Sequence, residues 1–131
     1  MLIMAFEGWN DAADAATMAS AHLAERFDAV AFANIDAEPF FDFSSTRPMV
    51  RLDGDGQRRI EWPANEFLVA HLPEAKRDVI ILTGTEPQLK WRTFSREIAA
   101  LATTMNVGLV VTLGALIADV AHSRPITVYG T

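Results

Sequence analysis

The polar side chains best suited to binding or catalysis lie in short turns that directly follow apolar runs. Residues 8–11 follow the run 2–6, residues 84–87 follow the run 79–83, and a third turn begins at Gly114. In parallel α/β sheets, ligands bind outside the carboxyl ends of the strands. The turns therefore predict a small-molecule site, and its candidate ligand-binding residues are Gly8, Trp9, Asn10, Asp11, Glu86, Trp91, Arg92, Gly114, His122 and Arg124.

No familiar catalytic or cofactor motif accompanies these turns. Neither the spaced-glycine dinucleotide fingerprint nor the lysine-bearing phosphate loop occurs. Asp53 and Asp55 resemble the opening of a calcium loop, but Ala64 stands where the closing glutamate is needed. His122 stands beside Ser123, and adjacent residues rarely give a serine and its base the geometry for nucleophilic attack. We expect no metal and no cofactor, and we assign no catalytic residue.

A structural explanation of the same motifs stands beside the functional one. The turn at residues 8–11 can simply join a strand to a helix, with Asn10 or Asp11 as the helix cap. Buried arginine–carboxylate pairs also lock loops, and they look the same in a sequence as a site does. The pairs considered join Arg47 or Arg92 to Glu7, Glu61 or Glu86.

The composition excludes several classes of protein. The chain has 131 residues, half of them hydrophobic, and its 11 basic and 17 acidic side chains give a net charge of −6. This charge disfavours nucleic-acid binding, and the absence of cysteine excludes disulfides and thiolate chemistry. No apolar run is long enough to span a membrane, and the start of the chain is unlike a secretory signal. We expect a single cytoplasmic domain over residues 1–131.

Alternating strands and helices must position the turns. The clearest β–α–β unit has a strand at 79–83, a helix at 89–105 and a strand at 108–113, and residues 2–6, 11–27 and 29–35 repeat the pattern. Extended runs at 49–52 and 57–62 flank a Gly/Asp turn and predict a β-hairpin. A further strand is expected at 65–72. The fold class predicted is α/β: a mixed, largely parallel sheet with helices on both faces and an antiparallel hairpin arm.

The apolar spacing predicts which face of each helix is buried. Residues three or four apart lie on one face of a helix. In the first helix the predicted face holds Ala12, Ala15, Ala19, Leu23 and Phe27. In the second helix it holds Trp91, Phe94, Ile98, Leu101 and Met105.

Segments along nearly the whole chain match the pattern of one family. They are 5–12 (AFEGWNDA), 41–43 (FDF), 46–48 (Thr-Arg-Pro), 59–63 (RIEWP), 86–87 (EP), 90–94 (KWRTF), 112–116 (TLGAL) and 122–125 (HSRP). The chain resembles the proteasome assembly chaperone 2 family, especially its actinobacterial branch. It departs in two respects: Ala13 stands where the family usually has glycine, and family members are considerably longer. We interpret residues 1–131 as the N-terminal half of such a protein, as a fragment, a truncated product or an unusually short member.

The resemblance implies a fold and a function. The fold would be an α/β/α arrangement similar to that of nucleoside phosphorylases. The function would be that of a non-enzymatic, homo-oligomeric assembly factor whose partners are further copies of itself and proteasome-related or other client proteins. The alternative is a small-molecule-binding or phosphorylase/hydrolase-like protein with a pocket at the carboxyl ends of the parallel strands. Neither interpretation includes a nucleic-acid or membrane partner.

Overall fold

The computed structural model describes residues 1–75, 77–121 and 123–130. Its helices and strands follow the predicted order and are β1 (Leu2–Glu7), α1 (Ala15–Arg26), β2 (Val30–Ile35), β3 (Met49–Leu52), β4 (Arg58–Glu61), β5 (Asn65–Ala70), β6 (Val79–Thr85), α2 (Trp91–Thr104) and β7 (Val110–Thr112). Single 3₁₀ turns precede α1 (Ala12–Asp14) and follow β5 (Pro73–Ala75). The predicted α/β class is confirmed.

Five strands form one mixed sheet in the order β2-β5-β6-β1-β7. β1 is parallel to both of its neighbours, whereas β5 is antiparallel to β6 and β2. Four of the five strands thus run in one direction, which confirms a mixed, largely parallel sheet. β6, α2 and β7 form the predicted β–α–β unit, whose crossover passes β1. β2 runs in the same direction as β1 but lies at the edge of the sheet, separated from it by β5 and β6.

The two helices cover opposite faces of the sheet, as predicted. Side chains alternate along a strand, so Leu82 and Thr83 of β6 point to opposite sides. On one side, Ser20 of α1 donates a hydrogen bond to Thr83 Oγ1 at 3.2 Å. On the other side, Leu82 packs in the same buried cluster as Phe94 of α2. Because both faces of β6 are covered, its apolar run Val79–Leu82 is entirely buried.

The main apolar core lies between the sheet and α2. Phe94 meets Phe6 and Phe40 edge to face, with ring centroids 5.8 and 5.3 Å apart. This arrangement is favourable for aromatic pairs. The buried members of the core are Leu2, Ile35, Phe40, Phe41, Phe67, Ile80, Leu82 and Phe94.

The predicted buried face of α1 is only partly correct, since Ala12, Leu23 and Phe27 are half-buried. Ala15 and Ala19 are exposed, and the helix instead buries Ala16, Thr17 and Ser20. Alanine occurs all around this helix, so apolar spacing cannot distinguish its faces. Hydrogen bonds of the two buried hydroxyls set its orientation, because a buried polar group without a partner is costly.

The predicted face of α2 is confirmed in the middle of the helix. Phe94 is buried, and Ile98 and Leu101 pack against the core. Trp91 and Met105, at the two ends of the predicted stripe, are about half exposed. A helix with apolar residues of this size at regular spacing has only one face that can enter the core.

The hairpin of β3 and β4 forms its own two-stranded sheet, separate from the five-stranded one. Residues directly opposite in an antiparallel pair share a face. One face carries two ion pairs, Arg51–Glu61 and Arg59–Asp53. The other face carries Val50, Leu52 and Ile60, which remain exposed, and Arg58 opposite Leu52. We call the patch of Val50, Leu52 and Ile60 the hairpin apolar face.

Candidate functional site

The three predicted turns meet at one edge of the sheet, at the carboxyl ends of β1, β6 and β7. The amide of Ala115 donates to the carbonyl of Asn10 at 2.9 Å, and the amide of Ala12 donates to the carbonyl of Ala115 at 3.1 Å. The amide of Glu86 donates to the carbonyl of Glu7 at 2.9 Å. Backbone hydrogen bonds therefore join the turn after β1 to both of its neighbours.

Two glycines leave room for polar side chains of these turns. Gly8 has a φ of 146°, and a Cβ there would lie 2.7 Å from Glu86 Oε1. A Cβ on Gly114 would lie 2.9 Å from Asn10 Oδ1. Both distances are too short for real side chains, so Glu86 and Asn10 occupy space that only glycine leaves free. The amide of Trp9 also donates to Glu86 Oε1, at 3.3 Å.

A cavity of about 280 Å³ opens beside these turns, between β1, β7 and the first half of α2. We call it the strand-end cavity. Its polar groups lie on the turns and on the exposed sides of α2 and β7, and most of its remaining wall is apolar. The lining residues are Met4, Phe6, Asn10, Glu86, Pro87, Trp91, Phe94, Ser95, Ile98, Thr112 and Leu113.

Asp11 acts as the cap of α1. It is 5% exposed, and its Oδ1 accepts hydrogen bonds from the amides of Ala16, at 2.7 Å, and Thr17, at 3.2 Å. Its Oδ2 accepts the hydroxyl of Thr17. Burial by itself raises the pKa of Asp11, but the hydrogen bonds from Thr17 and Ala16 outweigh it, so the pKa lies below its usual value. Both oxygens are engaged with the helix, which favours the structural explanation of this residue.

The other candidates are dispersed. Among the predicted ligand-binding residues, Asn10, Glu86 and Trp91 line the strand-end cavity. Trp9 is 83% exposed and contributes its amide. Arg92 lies in a shallow groove on the outside of α2, and the exposed Arg124 lines neither this groove nor the cavity. His122 lies outside the described residues.

The ion pairs considered from the sequence differ from those found. Glu61 pairs with Arg51, its diagonal neighbour across the hairpin, and not with Arg47. Arg47 instead donates to the carbonyl of Ser44 at 3.3 Å. Hairpin register decides this pairing, because it places the Arg51 and Glu61 side chains on one face.

Several residues that line the cavity were not predicted as ligand-binding residues, because their spacing is typical of core positions. Met4 and Phe6 stand two apart on β1, which places them on one face of the strand. Phe94 and Ile98 stand four apart on α2, and Ser95 lies beside them. Strand alternation and helical spacing together contain this signal, once the two elements are known to face each other.

The described part of the chain contains neither a cluster of metal ligands nor a helix that could span a membrane. In it, no group of three or more histidine, cysteine, aspartate or glutamate side chains lies close enough together to hold a metal ion. Within residues 1–75, 77–121 and 123–130, no helix is long and apolar enough to cross a bilayer.

Fold and site together define a mixed α/β protein with a largely apolar cavity at the carboxyl ends of its parallel strands. The model of the PAC2 family matches residues 5–131, and the chain belongs to this family. The resemblance to the proteasome assembly chaperone 2 family and its actinobacterial branch is confirmed. No functionally curated protein matches the chain.

Solved structures of actinobacterial proteins are similar to this chain. A PAC2 family protein from Streptomyces avermitilis is 46% identical with a TM-score of 0.88, over 95% of this chain and 53% of that protein. A proteasome-assembly chaperone homologue from Mycobacterium tuberculosis is 45% identical with a TM-score of 0.88, over 95% and 52%. A Corynebacterium glutamicum protein of unknown function is 28% identical with a TM-score of 0.82, over 95% and 46%. The chain thus spans about half the length of these relatives.

The departure of the chain from the family pattern lies at a strained position. Ala13 and Asp14 both have positive φ, 55° and 56°. Glycine adopts this conformation without steric cost, whereas alanine does not. A glycine at position 13 would therefore suit the backbone of the turn before α1, and Ala13 carries the strain here.

Proposed function

We propose that this chain serves in a protein-assembly factor that associates with further copies of itself and with client proteins. The observation that carries the proposal is the uncovered hairpin apolar face. The relative from M. tuberculosis, a proteasome-assembly chaperone homologue, supports it. A role in the cytoplasm, where proteasomes act, is part of the proposal.

A partner that covers the hairpin apolar face would stabilise the hairpin. A two-stranded hairpin is marginally stable by itself in water. Here the charged face already carries its ion pairs, whereas Val50, Leu52 and Ile60 are each more than 60% exposed. Removing apolar area from water contributes about 25 cal/mol per Å², from which the entropic cost of association must be subtracted. A second copy can supply the same apolar face, since two-fold interfaces bring identical patches together.

Two matched variants test self-association. Ile60 and Met49 are both 61% exposed and lie on opposite faces of the hairpin. Ile60→Lys places a charge on the hairpin apolar face, whereas Met49→Lys places the same charge on the face that already carries ion pairs. Native mass spectrometry of the natural chain should show an oligomer that Ile60→Lys converts to monomer and Met49→Lys retains. A monomeric natural chain, or equal behaviour of the two variants, would contradict the proposal.

Client binding needs a separate measurement. We propose that proteasome subunits are among the clients, because the M. tuberculosis relative is a proteasome-assembly chaperone homologue. The α subunits serve as the test protein. The chain should form a mass-resolved complex with purified α subunits of an actinobacterial proteasome, and Ile60→Lys should weaken that complex more than Met49→Lys does. If the α subunits form no complex with an oligomer that is otherwise intact, self-association stands and the client assignment fails.

The strand-end cavity favours a second candidate function, small-molecule binding. Asn10, Glu86 and Trp91 come from two different turns and a helix and meet at one opening, as the polar groups of binding pockets do. A phosphorylase/hydrolase-like activity is the enzymatic form of this candidate. Native spectra of the purified protein test it directly, because a reproducible extra mass on each subunit reports a retained ligand. Loss of that mass in a variant that fills the cavity would locate the ligand.

A further inference from the structure

We infer that the strand-end cavity binds a small, flat heteroaromatic molecule that carries N–H donors and is neutral or cationic. This inference rests on the second candidate function and is independent of the assembly role. It assigns a ligand class to the cavity from three properties of the lining: the shape of its walls, the free acceptor at its mouth and the sign of its charge.

The walls suit one aromatic ring system. Phe6, Trp91 and Phe94 contribute three aromatic side chains to a cavity of about 280 Å³. Ligand pockets for drug-sized molecules start near 300 Å³. Aromatic walls favour flat ligands that stack or meet them edge to face. The cavity is therefore of the size for one or two fused rings.

The mouth presents hydrogen-bonding groups that are fixed in position and still available. Glu86 Oε1 accepts the Trp9 amide at 3.3 Å, and among the described residues Oε2 has no hydrogen-bond partner. The side-chain amide of Asn10 also has none within the described part of the chain. Gly8 and Gly114 leave just enough room for these two side chains. The Glu86 carboxylate only accepts hydrogen bonds, so beside an apolar wall it favours a ligand whose ring carries N–H groups, while the Asn10 amide can either donate or accept.

The charge of the lining selects against anions. Glu86 is the one charged residue that lines the cavity within the described chain. Arg92 and Arg96 line the outer groove of α2, and neither lines the cavity. A phosphate or carboxylate in the cavity would meet Glu86 with no compensating cation. A phosphorylase-like use of the cavity, which needs an anion beside the base, is therefore disfavoured.

The test uses 2-aminobenzimidazole as the probe and benzoate as an anionic ring of similar size, with binding followed by NMR chemical shifts. A ligand of about ten non-hydrogen atoms is expected to bind with a dissociation constant of about 1 mM. Glu86→Gln should weaken the probe about tenfold, because it removes a charge-assisted hydrogen bond. Glu97→Gln is the matched control, since Glu97 is exposed on α2 and does not line the cavity.

A filling variant locates the probe. Ser95 is exposed at the cavity rim, so Ser95→Phe should block the cavity without disturbing the core, and the thermal melting curve of each variant checks the fold. Benzoate binding as tightly as the probe, or equal effects of Glu86→Gln and Glu97→Gln, would overturn the ligand class while leaving a pocket. Absence of binding by both ring compounds would overturn the pocket itself. A tryptophan peptide binding more than tenfold tighter than the probe would show that a partner's side chain is the occupant, not a small molecule.

Discussion

Replacing Ala13 with glycine should stabilise the fold, against the usual effect of adding glycine. Ala13 has a φ of 55° and a ψ of 34°. For an L-residue with a Cβ this left-handed conformation costs about 1–2 kcal/mol. Glycine removes that strain but loses about 0.5–1 kcal/mol through the greater freedom of the unfolded chain. The net gain in the free energy of unfolding is therefore about 0–1.5 kcal/mol, with a central value of about 0.75 kcal/mol.

Thermal unfolding measures this gain. For a domain of this size, the central gain of about 0.75 kcal/mol raises Tm by about 3 °C. Ala21→Gly is the matched control, because Ala21 is exposed in the middle of α1 and glycine there costs about 1 kcal/mol. The two variants should move Tm in opposite directions. A lower Tm for Ala13→Gly would refute the assignment of backbone strain to the turn before α1.

Two further substitutions probe the elements around the site. Asp11→Ala removes the cap of α1 and should cost about 1–2 kcal/mol in urea unfolding at pH 7. Because hydrogen bonds lower the folded pKa of Asp11, that stability is fully present above about pH 4 and is lost as the pH falls through the folded pKa, so the cost should shrink at pH 3. Gly84→Ala places a Cβ against the carbonyl of Ala64 and should cost about 1–3 kcal/mol. Gly108→Ala should leave the melting curve nearly unchanged, because its Cβ would be 3.7 Å from Arg77 Nη1, the nearest atom beyond the adjoining residues.

The meeting of the three turns was predictable because topology dictates it. Once β1, β6 and β7 are parallel neighbours, the residues after each strand must lie at the same edge. The directions of individual side chains were not predictable in this way. Trp9 and Glu86 stand in equivalent turns, yet Trp9 extends into solvent while Glu86 packs over Gly8. The Glu86 side chain contacts Gly8, a neighbour 78 positions away in the sequence, and such a contact leaves no mark in the local pattern.

The two helices also differ in how well the sequence predicts which face is buried. In α2 the large side chains of Phe94 and Ile98 occur on one side, so hydrophobic burial selects the face and the sequence reveals it. In α1 small side chains occur on every side, and burial of Ala16 in place of Ala19 changes little apolar area. The hydrogen bond from Ser20 to Thr83 then contributes to the choice, and it joins residues 63 positions apart. A pairing over such a distance leaves no trace in local spacing.

The order of strands in the sheet has a consequence for synthesis of the chain. Leu2 of β1 pairs with Ile80 of β6 on one side and with Val110 of β7 on the other. At about 5–20 residues per second, a ribosome needs roughly 5–20 s to make both partners. The β3–β4 hairpin, whose strands are neighbours in sequence, can close within about 1–10 μs of its emergence. The growing molecule thus has a hairpin that forms as it appears and a first strand, apolar along most of its length, that is among the last to find its neighbours.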